Sequence, residues 1–524
     1  MASQSSSEFW SQVGAADTDL EHLYGFLLER GVPLSSRELT VNLIEWRVHE
    51  EEKHLAELAA RRAPVYQPKN TYEVGQSLVF TAFGNREGVV QSVRPGDNPR
   101  LGDFQVISVQ LEGEPQAREF ATAFTAQHPL NAEITQTAIS LGVTPAEAVA
   151  QYGEAVRNAL VQRLQADREF IHIGDQWFLR GLLPEIHPGY LNLAEAAIEQ
   201  AGDAITTAEL VKILDLPQNA KKSAVDFALG YVLAGDPRFE DVGPVDLSRW
   251  ILTRMELPES RERPAVLNTS PARTVRLPAE LEIIATDLYD SADSNGSINR
   301  PIAAPRDEVT IVLTYPHRRA GTLALVPPVR ALLPDFARPR LKINFVDATS
   351  GDKFPGYAVA EGNYLAGLAG WYNMRRLSPG AYVTLRRGPE ALTLTVDYQP
   401  QRERSLWVRV ARGINGRLVF AQEKRPLSHK YDEEMLIVVA DPVGLDTVAQ
   451  TAREQKPLPQ LLEDIFPELA KLSGAGHVHA KTLYSAVNLI RRIGPRAVLS
   501  ALTESRAFSP VGGGYFVLTE QARV

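Results

Sequence analysis

The stretch Lys221-Lys-Ser-Ala-Val-Asp-Phe-Ala-Leu-Gly-Tyr-Val-Leu-Ala-Gly-Asp-Pro-Arg-Phe239, followed by Gly243 and Trp250-Ile251-Leu252, carries the plan on which much of the chain is built. Apolar residues at helical spacing run into a phenylalanine, a glycine turns the chain, and an aromatic followed by apolar residues returns. The same plan occurs earlier, where VRNALVQRLQADREF leads to Phe170, Gly174-Asp175 and Trp177-Phe178-Leu179. It recurs where GPRAVLSALTESRAF leads to Phe508, Gly512-Gly513-Gly514 and Tyr515-Phe516-Val517-Leu518. Helices followed by a glycine-turned hairpin with an aromatic on the return strand have the sequence shape of a winged helix. Three copies are expected, at 129–182, 183–256 and 433–524.

The middle copy resembles a known family. The run Ala204-Ile-Thr-Thr-Ala-Glu-Leu-Val-Lys-Ile-Leu214, then Asp236-Pro237-Arg238-Phe239-Glu-Asp-Val-Gly243 and Trp250-Ile251-Leu252, is similar to the HARE-type winged helix, as in the N-terminal domain of the bacterial RNA polymerase delta subunit. The resemblance covers residues about 190–254. It implies a DNA-associated or polymerase-associated module.

Ahead of these lies a helical headpiece, expected over 1–62. Asp17 to Arg30 carries Leu20, Leu23, Tyr24, Phe26, Leu27 and Leu28 as an apolar stripe that Gly31 and Pro33 stop. Ser35 with Glu38 is a capping-box signature for a second helix, which ends in the charged run HEEEKHLAELAARR. Residues 63–128 then alternate, with turns at Gly84-Asn85, Arg94–Pro99 and Glu112-Gly113. Four or five short strands there predict a small barrel of SH3-like size.

Residues 257–306, rich in Pro, Ser, Asn and Ala, read as a linker with one intervening element. From 307 to 432 the chain is β-branched and aromatic, and eight strands are expected, with short helices at VPPVRALLPDF and LAGLAGWYNMRRL. Here Asp347-Ala-Thr-Ser-Gly351, Gly370-Trp371-Tyr372 and Pro379-Gly380-Ala-Tyr-Val-Thr-Leu385 follow one another. That order resembles the pseudobarrel DNA-binding domain of plant auxin-response-type transcription factors and of some restriction-enzyme effector domains. The chain departs from it with Gly380-Ala381 where that family commonly has Gly-Asp. The fold class expected is therefore multidomain α+β: repeated winged helices, a small SH3-like barrel and a larger pseudobarrel-like domain.

Charge is unevenly placed. From Ser260 to Lys430 there are 25 Lys and Arg against 16 Asp and Glu, a balance of +9 in a chain whose total is −9, which leaves −18 for the rest. Many of these cations are paired arginines: Arg318-Arg319, Arg375-Arg376 and Arg386-Arg387, with Arg402 near Arg404 and Lys424 beside Arg425. Arginine suits bidentate contact to phosphate or guanine edges. The same pairs also suit a solvated β-surface, because one of two neighbours on a strand must point outward. In the winged helices, recognition helices are expected to begin near Asn219-Ala-Lys221-Lys222-Ser223 and at Gly494-Pro495-Arg496, with Arg491 and Arg492 just before the latter. The corresponding helix of the first copy has few bases and suits a protein-binding or structural role.

Composition excludes several classes. The chain has 44% hydrophobic and 23% charged residues, no cysteine and no apolar run of transmembrane length. Cysteine zinc sites, iron–sulfur clusters, disulfides and thiol nucleophiles are excluded together, and a reducing cytoplasm is the expected compartment. The opening MASQSSSEFW lacks the pattern of a signal peptide. Catalytic motifs fail in turn. Gly474–Thr482 lacks the phosphate-loop spacing, and His477, His479 and Lys481 have no downstream aspartate or third metal ligand nearby. Asp397 with Glu423-Lys424 lacks the Glu-x-Lys spacing of restriction nucleases, and no GxSxG or HExxH is present. The expectation is a non-enzyme without cofactor or metal. It would bind DNA, double-stranded by preference, in transcription or genome maintenance, with RNA polymerase or another complex as a protein partner and no membrane. Two alternatives stay open: an interaction scaffold within a larger assembly, and a specificity subunit for a nuclease encoded elsewhere.

Overall fold

A computed structural model describes residues 10, 13–60, 63–84, 86–98, 102–126, 128–131, 143–216, 220–288, 290–293, 307–336 and 338–519, with side chains for all but 54–60 and 451–455. The fold is mixed α+β, and the chain divides into two units. One comprises the residues to Leu182 apart from His172–Asp175, and the other comprises the remainder.

In the first unit, helices Asp17–Arg30, Ser36–Ala60 and Pro145–Ala166 share one core. Leu23, Leu27, Leu39, Leu43, Val156 and Leu160 are buried in it, together with Trp177 from the strand Gln176–Leu179. That strand pairs with Leu34–Ser35, Leu34 opposite Trp177, and is the middle strand of a three-stranded sheet. The segments expected as a separate headpiece and as the first winged helix are thus one hydrophobic unit. The second helix opens as its capping box requires: Glu38 Oε2 accepts from the Ser35 backbone N–H at 2.8 Å, and Ser35 Oγ accepts from that of Glu38 at 3.2 Å. Thr144 and Glu147 make the same reciprocal pair for the third helix. Between the second and third helices the chain forms a four-stranded antiparallel meander, Ser77–Phe80, Arg86–Pro95, Gln105–Leu111 and Arg118–Thr122. Tyr66, Tyr72, Phe80 and Ile107 fill its core.

The second unit repeats the three-stranded arrangement twice. Ile205–Thr206, Phe239–Asp241 and Arg249–Leu252 form one sheet, and Val478–His479, Phe508–Gly512 and Tyr515–Leu518 form the other. In both, as in the first unit, the last strand in sequence lies in the middle. Helices Gly189–Ala201, Thr207–Ile213 and Lys222–Ala234 pack on the first of these, and Leu458–Ala470, Ala480–Val487 and Pro495–Glu504 on the second.

Residues 308–398 form a seven-stranded sheet that curls into a half-barrel. From edge to edge its strands are Glu308–Val312, Tyr382–Arg387, Thr393–Tyr398, Arg340–Asp347, Lys353–Val359, Tyr364–Ala366 and Thr322–Ala324. All pairings are antiparallel except Arg340–Asp347 with Thr393–Tyr398. Alternate residues of these strands, among them Ile311, Ile343, Phe345, Val383, Leu385, Leu394 and Val396, face a core closed by Trp371 and Tyr372 of helix Ala369–Met374. The strand Tyr364–Ala366 and the helix Tyr315–Ala320 were not expected from the sequence: each is too short for its periodicity to register.

The last two expected strands leave this sheet. They lengthen into a hairpin, Pro400–Ile414 with Arg417–His429, joined by Val438–Val439 in a sheet of its own. The described part of 257–306 is ordered: Leu257 and Leu267 pack with Tyr357 and Tyr364 of the seven-stranded sheet, and the later part packs on the C-terminal module. Helix Ala279–Asp287 sends Leu281, Ile284 and Ala285 into the same core as Val498 and Leu502, and residues 294–306 lie outside the described residues. Among the described residues no helix is long and apolar enough to cross a membrane.

Candidate nucleic-acid interface

A cation can hold a phosphate only if its charge is not already spent, so the placement of each expected contact residue is decided by the carboxylates around it. Arg386 spans two acids, with Nε 2.6 Å from Glu308 Oε2 and Nη2 3.4 Å from Asp397 Oδ2. These acids lie on the neighbouring strands, where Arg386 is paired with Glu308 and Thr395. Its neighbour Arg387 is exposed and donates to the carbonyl of Ala331 at 2.9 Å. Arg319 is exposed and pairs with Asp446 at 2.5 Å.

Arg318 and Arg375 brace the end of helix Ala369–Met374. Arg318 Nε donates to the carbonyl of Leu377 at 2.7 Å and Nη2 to Asn373 Oδ1 at 2.8 Å, and burial holds its guanidinium below the ordinary range. Arg375 donates through Nε to the buried Asp347 Oδ2 at 3.0 Å and through Nη2 to the same oxygen, which raises its pKa further. Asp347 was singled out in the sequence as the aspartate before a glycine turn. It accepts the Thr349 backbone N–H at 2.9 Å and holds Arg375, and these bonds keep its carboxyl below the usual range against the opposing effect of burial.

Arg376 is different. It is exposed, and among the described residues its guanidinium has no hydrogen bond or ion pair. Arg402 and Arg404 share that condition. One contact links the segments that carry Arg376 and Arg402. The N–H of Ser378 donates to His429 Nε2 at 3.2 Å, and His429 is the strand partner of Pro400. A register shift between Pro400 and Arg404 bulges the chain at Arg402. Ser378, two residues after Arg376, thus meets the strand partner of Pro400, two residues before Arg402. Further along the hairpin Trp407 is 64% exposed, opposite Lys424, whose Nζ lies 5.5 Å from the ring centroid. Arg425, expected as part of a basic pair, donates to Glu423 at 2.7 Å instead.

The C-terminal cations go elsewhere. Arg492 is buried, donating from Nη1 to Asp290 Oδ2 at 2.6 Å and to Asn488 Oδ1 at 3.2 Å, and Tyr484 Oη donates to the same carboxylate. Arg491 is buried as well. Arg496 donates from Nη1 to Glu282 Oε2 at 3.0 Å, and its backbone N–H donates to Asp293 Oδ2 at 3.0 Å. The helix Pro495–Glu504, expected to enter a groove, buries Pro495 and every residue from Ala497 to Leu502. In the middle module, Lys221 and Lys222 are exposed at the start of Lys222–Ala234. Asn219 lies outside the described residues.

Three further cations, which the sequence reading did not single out, dock the middle module on the seven-stranded sheet. Arg338 pairs with Asp241 at 2.5 Å, Arg340 Nε with Glu240 at 2.8 Å, and Lys342 Nζ with Asp203. The Lys342 backbone N–H donates to Val242 O at 2.8 Å, and Val242, Ile251, Tyr357 and Val359 form an apolar cluster beside these pairs. The alternation of Arg338, Arg340 and Lys342 into the strand was visible, but the acidic partners of Arg340 and Lys342 lie 100 and 139 residues away.

Of the residues weighed for catalysis, His479 caps a helix: its Nδ1 accepts from the Lys481 backbone N–H at 3.1 Å, and its ring meets Tyr515 edge-on. Lys481 pairs with Asp432 at 3.1 Å. Compared with family models, curated proteins and solved structures, the chain matches none.

Proposed function

We propose that this chain is a modular DNA-binding protein that contacts duplex DNA through its central basic region, without a catalytic role. The observation that carries the reading is the presence of exposed, unpaired arginines, Arg376, Arg402 and Arg404, in the basic central region of a chain of net charge −9. Exposed arginines without carboxylates favour an external anion, and confining them to one region limits non-specific attachment by the acidic remainder. Arg387, Lys221 and Lys222 are accessible for additional backbone contacts.

The three sheets with a common strand order, each carrying a helix trio, support the reading of three winged helices, and the half-barrel supports the pseudobarrel-like reading. Fold alone does not assign a ligand. Transcription or genome maintenance in the cytoplasm is the setting that suits such a protein. A second reading, an interaction scaffold that docks RNA polymerase or another complex, is favoured by the C-terminal module, whose third helix is covered and cannot enter a groove.

The test is an anisotropy titration of the whole chain with mixed-sequence duplex DNA at low and moderate salt. Direct phosphate contact gives affinity that falls steeply with salt. Absence of binding at low salt would refute the DNA reading and leave the scaffold.

A further inference from the structure

We infer that the turn Asn373–Arg376 is the point at which the protein enters the minor groove of duplex DNA, with Arg376 on a backbone phosphate and Met374 as an apolar wedge at a base step. This rests on the DNA-binding reading above. The turn exposes what a folded chain ordinarily hides. Met374 is 63% exposed, beside exposed Asn373 and Arg376, whereas Trp371, Tyr372 and Leu377 on either side are buried.

The backbone ends the helix in a left-handed cap. Arg376 has φ +51°, the left-handed region that glycine or asparagine occupies without cost and arginine does not. The surroundings hold it there. Arg375 is tied to Asp347 and lies over Tyr398, and Arg318 is tied to Asn373 and to the carbonyl of Leu377. The N–H groups of Arg375, Arg376 and Leu377 donate to Trp371, Asn373 and Tyr372 at 2.9, 3.2 and 3.0 Å. Two arginines are therefore used as struts for a turn that presents a third arginine and a methionine to solvent.

The left-handed residue closes the helix as an ordinary C-terminal cap, a position glycine usually fills, and here that position carries an exposed, free guanidinium. The ligand chemistry follows from the pair. A free guanidinium suits a phosphate, and an unbranched apolar side chain next to it suits insertion at a base step, as minor-groove wedges do.

The experiment uses the full chain and a labelled mixed-sequence duplex, with melting temperature, affinity across a salt series and end-to-end energy transfer as readouts. Arg376→Gly is expected to melt at or above the wild-type temperature yet bind about fivefold more weakly, with a salt slope smaller by about one. Arg376→Asn, which also tolerates the left-handed turn, should behave alike. Met374→Ala is expected to keep the salt slope, lose about threefold in affinity and bend the duplex less. Wild-type affinity and slope in both Arg376 variants would overturn the phosphate contact, and an unchanged bend in Met374→Ala would overturn the wedge. A wild-type chain that binds no duplex at low salt would overturn the parent reading as well, and that outcome is separate because it precedes any variant.

Discussion

Arg492 and Asp290, 202 residues apart in sequence, form an ion pair whose side chains are only 2% and 1% exposed. Asp290 belongs to a segment whose composition reads as linker, and Arg492 to a run that reads as DNA-facing. The carboxylate is held on its other flank by the Tyr484 hydroxyl, and Arg492 Nη2 lies 3.4 Å from His317 Nε2 on the seven-stranded domain. Burial and the neighbouring guanidiniums of Arg492 and Arg263 hold His317 well below its ordinary pKa, so it stays neutral beside Arg492.

Removing one member of a buried pair strands the other charge in a medium that cannot solvate it. Arg492→Ala should therefore destabilise the second unit by about 3–5 kcal/mol, and Asp290→Ala should do the same. The double replacement Arg492→Met with Asp290→Leu should cost much less than the two single changes together. Urea unfolding of the three variants checks this, and additive costs would show that the two residues are not coupled.

The strut Arg375 should separate cleanly from the free Arg402 and Arg404. Arg375→Glu places a second carboxylate against buried Asp347 and is expected to lower stability by several kcal/mol, on the order of the cost of an uncompensated buried charge. Reversal of Arg402 and Arg404 to Glu should leave the melting temperature within a few degrees and weaken duplex binding by about tenfold at low salt. Thermal melts beside anisotropy titrations distinguish the two. A stable Arg375→Glu protein would contradict its role as a strut.

Glu256 supplies a pH dependence. Both of its carboxyl oxygens are buried without a hydrogen bond, 3.6 Å from Arg340 and 3.8 Å from Arg261 at the nearest, and close enough to Glu240 to feel its charge. Burial, then the charge of Glu240, pushes its pKa up to about 7 from 4.5. Because the folded value is raised, the native state binds the proton more tightly than the unfolded chain. The contribution is complete below about pH 4.5 and is lost as pH rises toward 7. Glu256→Gln should flatten this part of the stability profile and make the protein more stable than wild type at pH 8, by roughly 2–3 kcal/mol. Denaturant midpoints at pH 5 and 8 test it, and parallel profiles for the two proteins would refute it.

The docking of the middle module on the sheet is the fourth expectation. Arg338 pairs with Asp241 and also donates to the carbonyl of Gly243 at 3.0 Å and to Ser248 Oγ at 3.0 Å. Arg338→Ala should loosen this contact while both partners stay folded. Faster hydrogen exchange is then expected at the Lys342 amide, which donates to Val242 O, with little change at core amides such as that of Phe345. Equal protection in variant and wild type would mean that the apolar cluster around Tyr357 holds the contact alone.

Much of the local structure was legible. Ser35 with Glu38 announced a helix start, Trp250 and Phe516 lie on return strands, and strands near 342, 382 and 417 follow from their alternation. The meander between the second and third helices hid the unity of the first core, because Leu34 and Trp177 pair across more than a hundred residues. Strands of two or three residues left no periodicity to read.

What the sequence determined by itself is what short-range chemistry dictates: where helices and hairpins begin and end, the absence of cysteine chemistry, and the concentration of positive charge between Ser260 and Lys430. Which of those charges remain available was decided only by the tertiary structure. Arg375, Arg492 and Arg496 carry the same side chain as Arg376, but Asp347, Asp290 and Glu282 come to them from 28, 202 and 214 residues away. A guanidinium is spent or free according to the carboxylates that folding brings within about 3 Å of it.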